Sequence, residues 1–343
     1  PSFYEEMLGS IRVIRYKQYT PKNPSFLKRV IHIIDFTLGT WRNLKKVKEC
    51  DLVISVIPFT SSAWLGNKLS RKLKSKHWIH IQDFEFDAAF QSGLTNQKNN
   101  KGFLHKGLMR LETKILNKAD CVSTISHNMI KKLLEKTNSK TYYLPNWIEP
   151  KRFDFKGKHP LLQSNKFTIL YSGNIGDKQD WNFFLEILAN LDFDTYKVVI
   201  VGDGSKKAWL QDKLSEFDIT IHKPVPYSEL HLLLKSADVH ILLQKTSVLD
   251  TVMPSKVLGM MASARPSIVS GHQEAEVGEI LNSSKGGFYF SDNNTKEIAN
   301  HIQRLKEERI LADRMGRSAQ EYVHAHFSKE PILEGFVNEI NTL

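Results

Sequence analysis

The stretch TVMPSKVLGMMASARPSIVS, from Thr251 to Ser270, decides the fold class. An apolar run, HILL at His240–Leu243, precedes it, and within it an apolar helical run follows Pro-Ser-Lys and a further apolar run follows Arg-Pro. Proline suits the first turn of a helix, because its missing N–H leaves no donor unsatisfied there. A buried strand, a helix and a second buried strand in this order predict a βαβ unit of a parallel sheet.

The same alternation extends over the rest of the chain. In the second half, FTILYSGN and YKVVIVGDG are further strands with helical runs between them, and the first half alternates more loosely. We therefore predict an α/β protein with two Rossmann-like, doubly wound domains that face each other across a cleft. The expected boundaries are 1–152, 153–321 and a helical segment at 322–343, for which a return to the first domain is one alternative.

Composition limits the possible partners. No run of 18 or so uncharged apolar residues is present, so no membrane-spanning helix is expected. Cys50 and Cys121 each begin an apolar run, which favours buried free thiols and a reducing compartment.

Residues 1–150 carry 25 basic and 12 acidic side chains, a net charge of +13, whereas the net charge of the remainder is −2. This split favours an anionic partner for the first half, and a solvated basic surface is the simpler alternative. No base-reading module is present, so nucleic acid is not expected.

Ligands of open parallel sheets bind beyond the carboxyl ends of the strands, at helix N-termini. In the second half those ends carry glycines and lysines, each of which alone could serve only a tight turn or a solvated surface. Together they predict a metal-free diphosphate site at these strand ends and helix starts, with Gly173, Asn174, Lys178, Gly202, Gly204, Pro254, Ser255 and Lys256 as its candidate residues. The helix start at Ser255 and Lys256 would add free N–H groups and a positive charge.

The second half resembles the donor domain of a glycosyltransferase of family 4, with the GT-B fold. The matching pieces are LYSGNIGDKQDWNFFLEIL, VVIVGDGS, VPYSELHLLLKSADVHILL and MPSKVLGMMASARPSIVS. HIQDFEFDAAF and LPNWIEP in the first half are also similar to that family. The nearest members by resemblance are bacterial sugar transferases for capsule, colanic acid and O-antigen.

The resemblance implies a retaining, metal-independent transfer of sugar from a UDP- or GDP-sugar, which is a substrate, so that no cofactor is expected. The acceptor would be a glycan or a polyprenyl-diphosphate-linked sugar in cell-surface glycan synthesis. The family's basic pair maps to Asn174 and Lys178, and its nucleobase contact to Val225. A cytoplasmic protein bound peripherally at the anionic inner face of the membrane is expected, and the basic, aromatic-rich segments near Ser25–Trp41 and Lys68–Trp78 suit that role.

The sequence departs from the family pattern at two places. One family glutamate, expected to hold the ribose, falls at Gly259, and the other, expected to touch the sugar, has only Asp250 nearby. The usual first strand and helix have no counterpart before EEMLGSIRVIRY, so the first domain is expected to lack them.

Two carboxylates of the first half are candidates for the chemistry. By family position, Asp83 is expected nearest the reacting carbon, with Glu85 as the second candidate and Asp250 as the third. A helix cap is the alternative role for Asp83. The alternatives for the protein as a whole are a non-catalytic nucleotide-sugar or glycan-binding relative, and a nucleotide-sugar 2-epimerase of the same fold. A dinucleotide-dependent oxidoreductase lacks its glycine fingerprint here.

Overall fold

The computed structural model describes residues 3–21, 26–85, 101–154, 157–217, 219–246 and 255–343. The chain divides into two compact units, one formed by Pro1–Leu144 with Asn338–Leu343 and the other by Pro145–Val337. No helix within the described ranges is both long enough and apolar enough to cross a membrane.

The first unit combines a hairpin with a small parallel sheet. Its strands are β1 (Phe3–Leu8), β2 (Ile11–Tyr16), β3 (Leu52–Ile57), β4 (Lys76–Ile81), β5 (Cys121–Thr124) and β6 (Lys140–Tyr143). Its helices are α1 (Phe26–Leu44), α2 (Thr60–Leu73), α3 (Lys101–Leu116) and α4 (His127–Leu134). β1 and β2 pair antiparallel, whereas β3, β4, β5 and β6 lie side by side in chain order and pair parallel.

The second unit is a six-stranded sheet with its helices. The strands are β7 (Phe167–Asn174), β8 (Tyr196–Asp203), β9 (Ile221–His222), β10 (Val239–Leu243), β11 (Ser267–Ser270) and β12 (Gly287–Phe290). The helices are α5 (Trp181–Leu188), α6 (Lys207–Leu214), α7 (Tyr227–Ser236), α8 (Ser255–Ala262), α9 (Glu276–Ser284), α10 (Thr295–Glu307), α11 (Arg309–His326) and α12 (Lys329–Ile340).

The strand order of this sheet is β9-β8-β7-β10-β11-β12, and every neighbouring pair is parallel. The chain therefore moves outward from β7 to β9 and then starts again at β10, on the other side of β7. Since strand–helix–strand crossovers are right-handed, the helices of the two halves cover opposite faces of the sheet. The point of reversal, between β7 and β10, leaves a crevice at the carboxyl ends of the strands.

Burial explains why these segments form the sheet. β10 is buried along its whole length, and β7 is buried from Phe167 to Tyr171 before its exposure rises at the Gly-Asn end. α5 adds Trp181, Phe183 and Phe184 to the core. Apolar side chains on both strand faces are what a sheet covered by helices on both sides requires.

The α/β class and the parallel sheets predicted from the sequence are confirmed. Two features were not predicted: the β1–β2 hairpin, which turns at Gly9 and Ser10, and the helices α10 and α11. The end of the chain groups with the first unit, where Glu339 contacts Lys140 at 2.5 Å and Thr342 Oγ1 accepts from the same ammonium at 3.0 Å.

Candidate functional site

The carboxyl ends of β7 and β8 meet at the centre of the second unit. Gly173 pairs with Gly202, and Asn174 pairs with Asp203. A Cβ atom on Gly202 would lie 2.0 Å from the Gly173 carbonyl oxygen, so only glycine fits there. Glycine inside a strand marks such a close backbone approach. Gly173 and Gly202 place no side chains beside the strands at these two positions, one residue before each strand end, and this leaves space there.

That space is a cavity of about 600 Å³, and its lining comes from the second unit alone. The volume lies within the range of small-molecule sites, about 300–1,000 Å³. The lining comprises Asn146, Trp147, Ile148, Glu149, Phe153, Ser172, Gly173, Asn174, Val201, Gly202, Asp203, Pro224, Val225, Tyr227, Leu230, His231, Leu234, Lys256, Leu258, Gly259 and Met260. Most of these side chains are apolar or aromatic, and a few polar groups stand among them.

Lys256, in the first turn of α8, brings a cation to the glycine end of the cavity. Its Nζ donates to Tyr171 Oη at 3.2 Å and to the Asn174 carbonyl oxygen at 3.4 Å. Gly173 makes room for it, since a Cβ there would lie 2.3 Å from Lys256 Cε, and its φ of 141° is one that other residues rarely adopt. Burial lowers the pKa of Lys256 to about 8. The lysine is thus a partly buried cation whose described hydrogen-bond partners are both neutral.

A second group of lining residues contains aromatic rings and Glu149, whose ion-pair partner Arg152 is not itself in the lining. Tyr227 is 62% exposed, and the Arg152 guanidinium lies 4.8 Å from the centre of its ring. Arg152 Nε also donates to Glu149 at 3.0 Å, a hydrogen bond that holds the pKa of Glu149 below its ordinary value. Phe153 meets the ring of His231 edge-on at 4.9 Å. The cavity therefore combines aromatic surface with a cation, which suits a ligand that has a planar ring and an anionic group.

The structure brings five of the predicted binding residues together in this lining: Gly173, Asn174, Gly202, Val225 and Lys256. Ser255 begins α8, beside Lys256. Pro254 and Asp250 lie outside the described residues.

Two further predicted binding residues are described but do not line the cavity. Lys178 is exposed in the loop after β7, where its carbonyl oxygen accepts from the Lys245 N–H at 3.0 Å. Gly204 has a φ of 154° and lies against the Ile175 carbonyl oxygen, which is the role of a turn glycine. The lysine that the described cavity contains is therefore Lys256 rather than Lys178.

The candidate carboxylates Asp83 and Glu85 belong to the first unit and follow β4. Glu85 Oε2 accepts from the Thr60 backbone N–H at 2.6 Å, at the first residue of α2. Burial raises the pKa of Glu85. This hydrogen bond engages one oxygen of the Glu85 carboxylate at the start of a helix, which is a structural role. Asp83 is half-buried just beyond the end of β4.

Tyr171 and Trp147 are among the residues of the site that sequence reasoning missed. Tyr171 is 2% exposed and holds Lys256, and Trp147 lines the cavity while 40% exposed. The signal for Tyr171 was its place two residues before Gly173 in a buried strand, where a hydroxyl requires a partner. Within the described part of the chain, no three His, Cys, Asp or Glu side chains come together in a way that could hold a metal ion.

Sequence comparisons match most of the second unit to a known family and extend the similarity over the first unit. A family model described as Glycosyl transferases group 1 matches residues 153–322, which include the whole six-stranded sheet. The chain is 30% identical to the putative colanic acid biosynthesis glycosyl transferase WcaI of Escherichia coli K12, over 98% of this chain and 86% of that protein.

Solved structures show the fold. The structure of sucrose-phosphate synthase from Thermosynechococcus elongatus matches with a TM-score of 0.75 at 15% identity, covering 100% of this chain and 85% of that one. Anabaena HepE in complex with UDP-glucose matches with a TM-score of 0.69 at 13% identity, covering 90% and 82%. Both likenesses extend over nearly the whole chain, as the 30% identity to WcaI does. Together with the doubly wound sheet and its cavity, these matches confirm the resemblance seen in the sequence: the chain belongs to the group 1 glycosyl transferases and has the GT-B fold.

Proposed function

We propose that this glycosyltransferase takes its sugar from a nucleotide-diphospho donor, a UDP- or GDP-sugar, bound in the cavity of the second unit. The observation that carries the proposal is Lys256, set against Gly173 where the ends of β7 and β8 meet. The HepE structure with UDP-glucose supports the class of donor, because that protein has the same fold. The aromatic lining residues, Phe153 and Tyr227 among them, suit the nucleobase, and the end of the cavity at Gly173 and Gly202 suits the diphosphate.

The same geometry suggests how the reaction proceeds. When the bond between the sugar and the diphosphate breaks, negative charge develops on the leaving phosphate oxygens. The Lys256 ammonium and the N–H groups of the first turn of α8 would stabilise that charge without a metal. Glycines at positions 173 and 202 leave backbone, rather than side chains, facing the phosphates.

The stereochemistry, the acceptor and the location complete the proposal. We infer retention at the anomeric carbon, with Asp83, Glu85 and Asp250 as the candidate carboxylates. A lipid-linked or polysaccharide acceptor is inferred from the relative named for colanic acid biosynthesis. The net +13 of residues 1–150 supports peripheral binding to an anionic membrane surface at the cytoplasmic face.

One observation favours a second candidate, a protein that binds nucleotide sugars without transferring them. Gly259 lines the cavity where the family resemblance expects a ribose-binding glutamate. The carboxylate is therefore missing, and a Cβ at Gly259 would meet Leu234 Cδ1 at 3.2 Å, a tight contact that requires the leucine to shift by a few tenths of an ångström. Sugar transfer to a polyprenyl-diphosphate glycan would exclude this candidate, and tight donor binding with no turnover would favour it.

The test of the donor site is calorimetry of UDP and GDP with wild type and Lys256→Ala. Hydrogen bonds to charged groups contribute about 1.5–3 kcal/mol, so we expect the variant to bind roughly 10- to 100-fold more weakly. Lys306→Ala is the matched control, because Lys306 also lies over a tyrosine ring but does not line the cavity. Equal affinity in wild type and Lys256→Ala would remove the proposed site.

A further inference from the structure

Tyr171 is fixed from two sides beneath the lysine. It is 2% exposed, and its ring meets Trp181 edge-on with the ring centres 4.8 Å apart. Trp181 is itself held by its indole N–H, which donates to the Gly176 carbonyl oxygen at 3.0 Å. The loop that leaves β7 and the tyrosine within β7 therefore pack together through Trp181, which limits the rotation of the phenol ring.

The hydrogen bonds of this phenol determine what it offers to Lys256. A tyrosine hydroxyl has a single hydrogen, and that hydrogen is donated to the Asn174 carbonyl oxygen at 2.5 Å. Toward Lys256, 3.2 Å away, the oxygen acts as an acceptor. An acceptor stabilises the ammonium form of the lysine over the neutral amine.

The lysine retains donors for a ligand in this position. An ammonium has three N–H groups, of which one meets Tyr171 and another makes only the long contact, at 3.4 Å, with the Asn174 carbonyl oxygen. The ammonium also lies 5.1 Å from the centre of the Tyr171 ring, a second contact that holds the Lys256 side chain in this position without a ligand. Gly173 completes the slot, because a side chain there would occupy the space of Lys256 Cε and Nζ.

We propose that Tyr171 is a positioning residue of the donor site: its hydroxyl, oriented by the Asn174 carbonyl, holds Lys256 charged and aimed at the diphosphate. This inference rests on the proposed function, since it assigns a role to a residue that the donor does not touch. It identifies a determinant of donor affinity in the buried strand, outside the strand-end and helix-start motifs.

The test compares Tyr171→Phe with Tyr196→Phe. The first variant removes the hydroxyl and keeps the ring under the lysine. The second does the same at a tyrosine that is 6% exposed, with the Lys306 ammonium 4.6 Å from its ring centre, away from the cavity. UDP affinity is measured by calorimetry above about pH 7, where the terminal phosphate is largely ionised, together with thermal unfolding of each variant.

We expect Tyr171→Phe to weaken UDP binding by roughly 3- to 10-fold at neutral pH, the effect of one hydrogen bond. Its affinity should also begin to fall at a lower pH than in wild type, because the ammonium has lost its acceptor. Tyr196→Phe should follow the wild-type curve. In a Lys256→Ala background, Tyr171→Phe should change the Kd no further, since the hydroxyl acts through the lysine.

Three results would contradict the inference. An unchanged Kd and an unchanged pH curve in Tyr171→Phe would remove the role of the hydroxyl. A uniform loss of affinity with the pH curve unmoved would make the tyrosine merely structural. A full effect of Tyr171→Phe in the Lys256→Ala background would separate the two residues. The proposed function fails on a different result, namely undiminished binding by Lys256→Ala alone.

Discussion

The two ends of the β7–β8 strand pair contain similar side chains in different surroundings. At the amino end, Lys306 lies over Tyr196, and Arg309 lies over Phe167 while donating to the Asp238 carboxylate at 2.9 Å. At the carboxyl end, Lys256 lies over Tyr171, and its described hydrogen-bond partners are a phenol and a carbonyl oxygen. Both ends thus place cations on aromatic rings, but among the residues that the structure describes only the amino end pairs one of these cations with a carboxylate.

The difference shows which cation is available to an anionic ligand. An exposed arginine that already holds a carboxylate gains little from a phosphate, because it must give up its partner. A partly buried ammonium with neutral partners is poorly solvated, as the lowering of its pKa to about 8 indicates. Its interaction with a phosphate is also less screened than at the surface. The comparison therefore supports the proposed ligand site at the carboxyl end, and it favours surface packing as the role of the amino end.

Gly173→Ala tests the carboxyl end of the strand pair and should have the largest effect of the changes in this series. The new methyl would take the space of Lys256 Cε and Nζ, so we expect UDP affinity to fall more than about tenfold. The φ of 141° lies in a region that essentially only glycine adopts, so the backbone strain should lower the free energy of unfolding by about 1–3 kcal/mol. Calorimetry and urea denaturation measure the two effects separately.

Gly157→Ala is the control for backbone strain. Gly157 also has a positive φ, 100°, but a Cβ there would meet no atom within 4 Å. It should lose stability and keep its affinity for UDP. Retained affinity in Gly173→Ala would show that the lysine does not need its slot.

The next largest effect is on pH dependence, where stability and donor affinity should change in opposite directions. A folded-state pKa of about 8 lies below the 10.5 of an unperturbed lysine, so the unfolded chain binds more protons between these values. The contribution of Lys256 to the free energy of unfolding should therefore rise with pH across that window. Donor affinity should fall above about pH 8, by at most about tenfold per pH unit, because the phosphate binds the ammonium.

The difference between wild type and Lys256→Ala, in denaturation and in calorimetry, isolates both trends. Stability and affinity that fall together with rising pH would argue against a buried cation at this position.

Lys306→Ala should have the smallest effect. A cation over a ring near the surface contributes about 0.5–1 kcal/mol to stability. We expect a loss of that size in urea denaturation and no change in UDP affinity. A larger change in affinity than in stability would mean that the two ends of the strand pair communicate, and the contrast between them would not hold.

The sequence predicted the sheet better than the site. Near-continuous apolar strands and glycine-bordered ends identify β7, β8 and β10, and the Pro-Ser-Lys run predicts the start of α8 close to where it lies. These are local patterns, and local patterns fix secondary structure and the end of the sheet at which ligands bind. The β1–β2 hairpin escaped notice although its Gly9-Ser10 turn is itself a local signal.

The site depends on contacts between distant residues, which one sequence does not reveal. Tyr171 and Lys256 are 85 residues apart and meet only because β7 neighbours β10 in the sheet. Lys178 and Lys256 looked equivalent as lysines after strand ends, yet only Lys256 has a glycine that makes space for it in the cavity. Glu85 reads as a catalytic carboxylate in a string of letters, and its hydrogen bond to the start of α2 appears only in three dimensions.

The last helix has a practical consequence for recombining this protein with its relatives. α12 begins among residues of the second unit, and from Asn338 onward the chain groups with the first, where Glu339 and Thr342 contact Lys140. A chimaera with one junction near Leu144 would join the tail of one parent to the amino-terminal unit of the other. An exchange of donor specificity between parents therefore calls for a second junction, near Val337. The residues from Asn338 onward then come from the same parent as the amino-terminal unit that they contact.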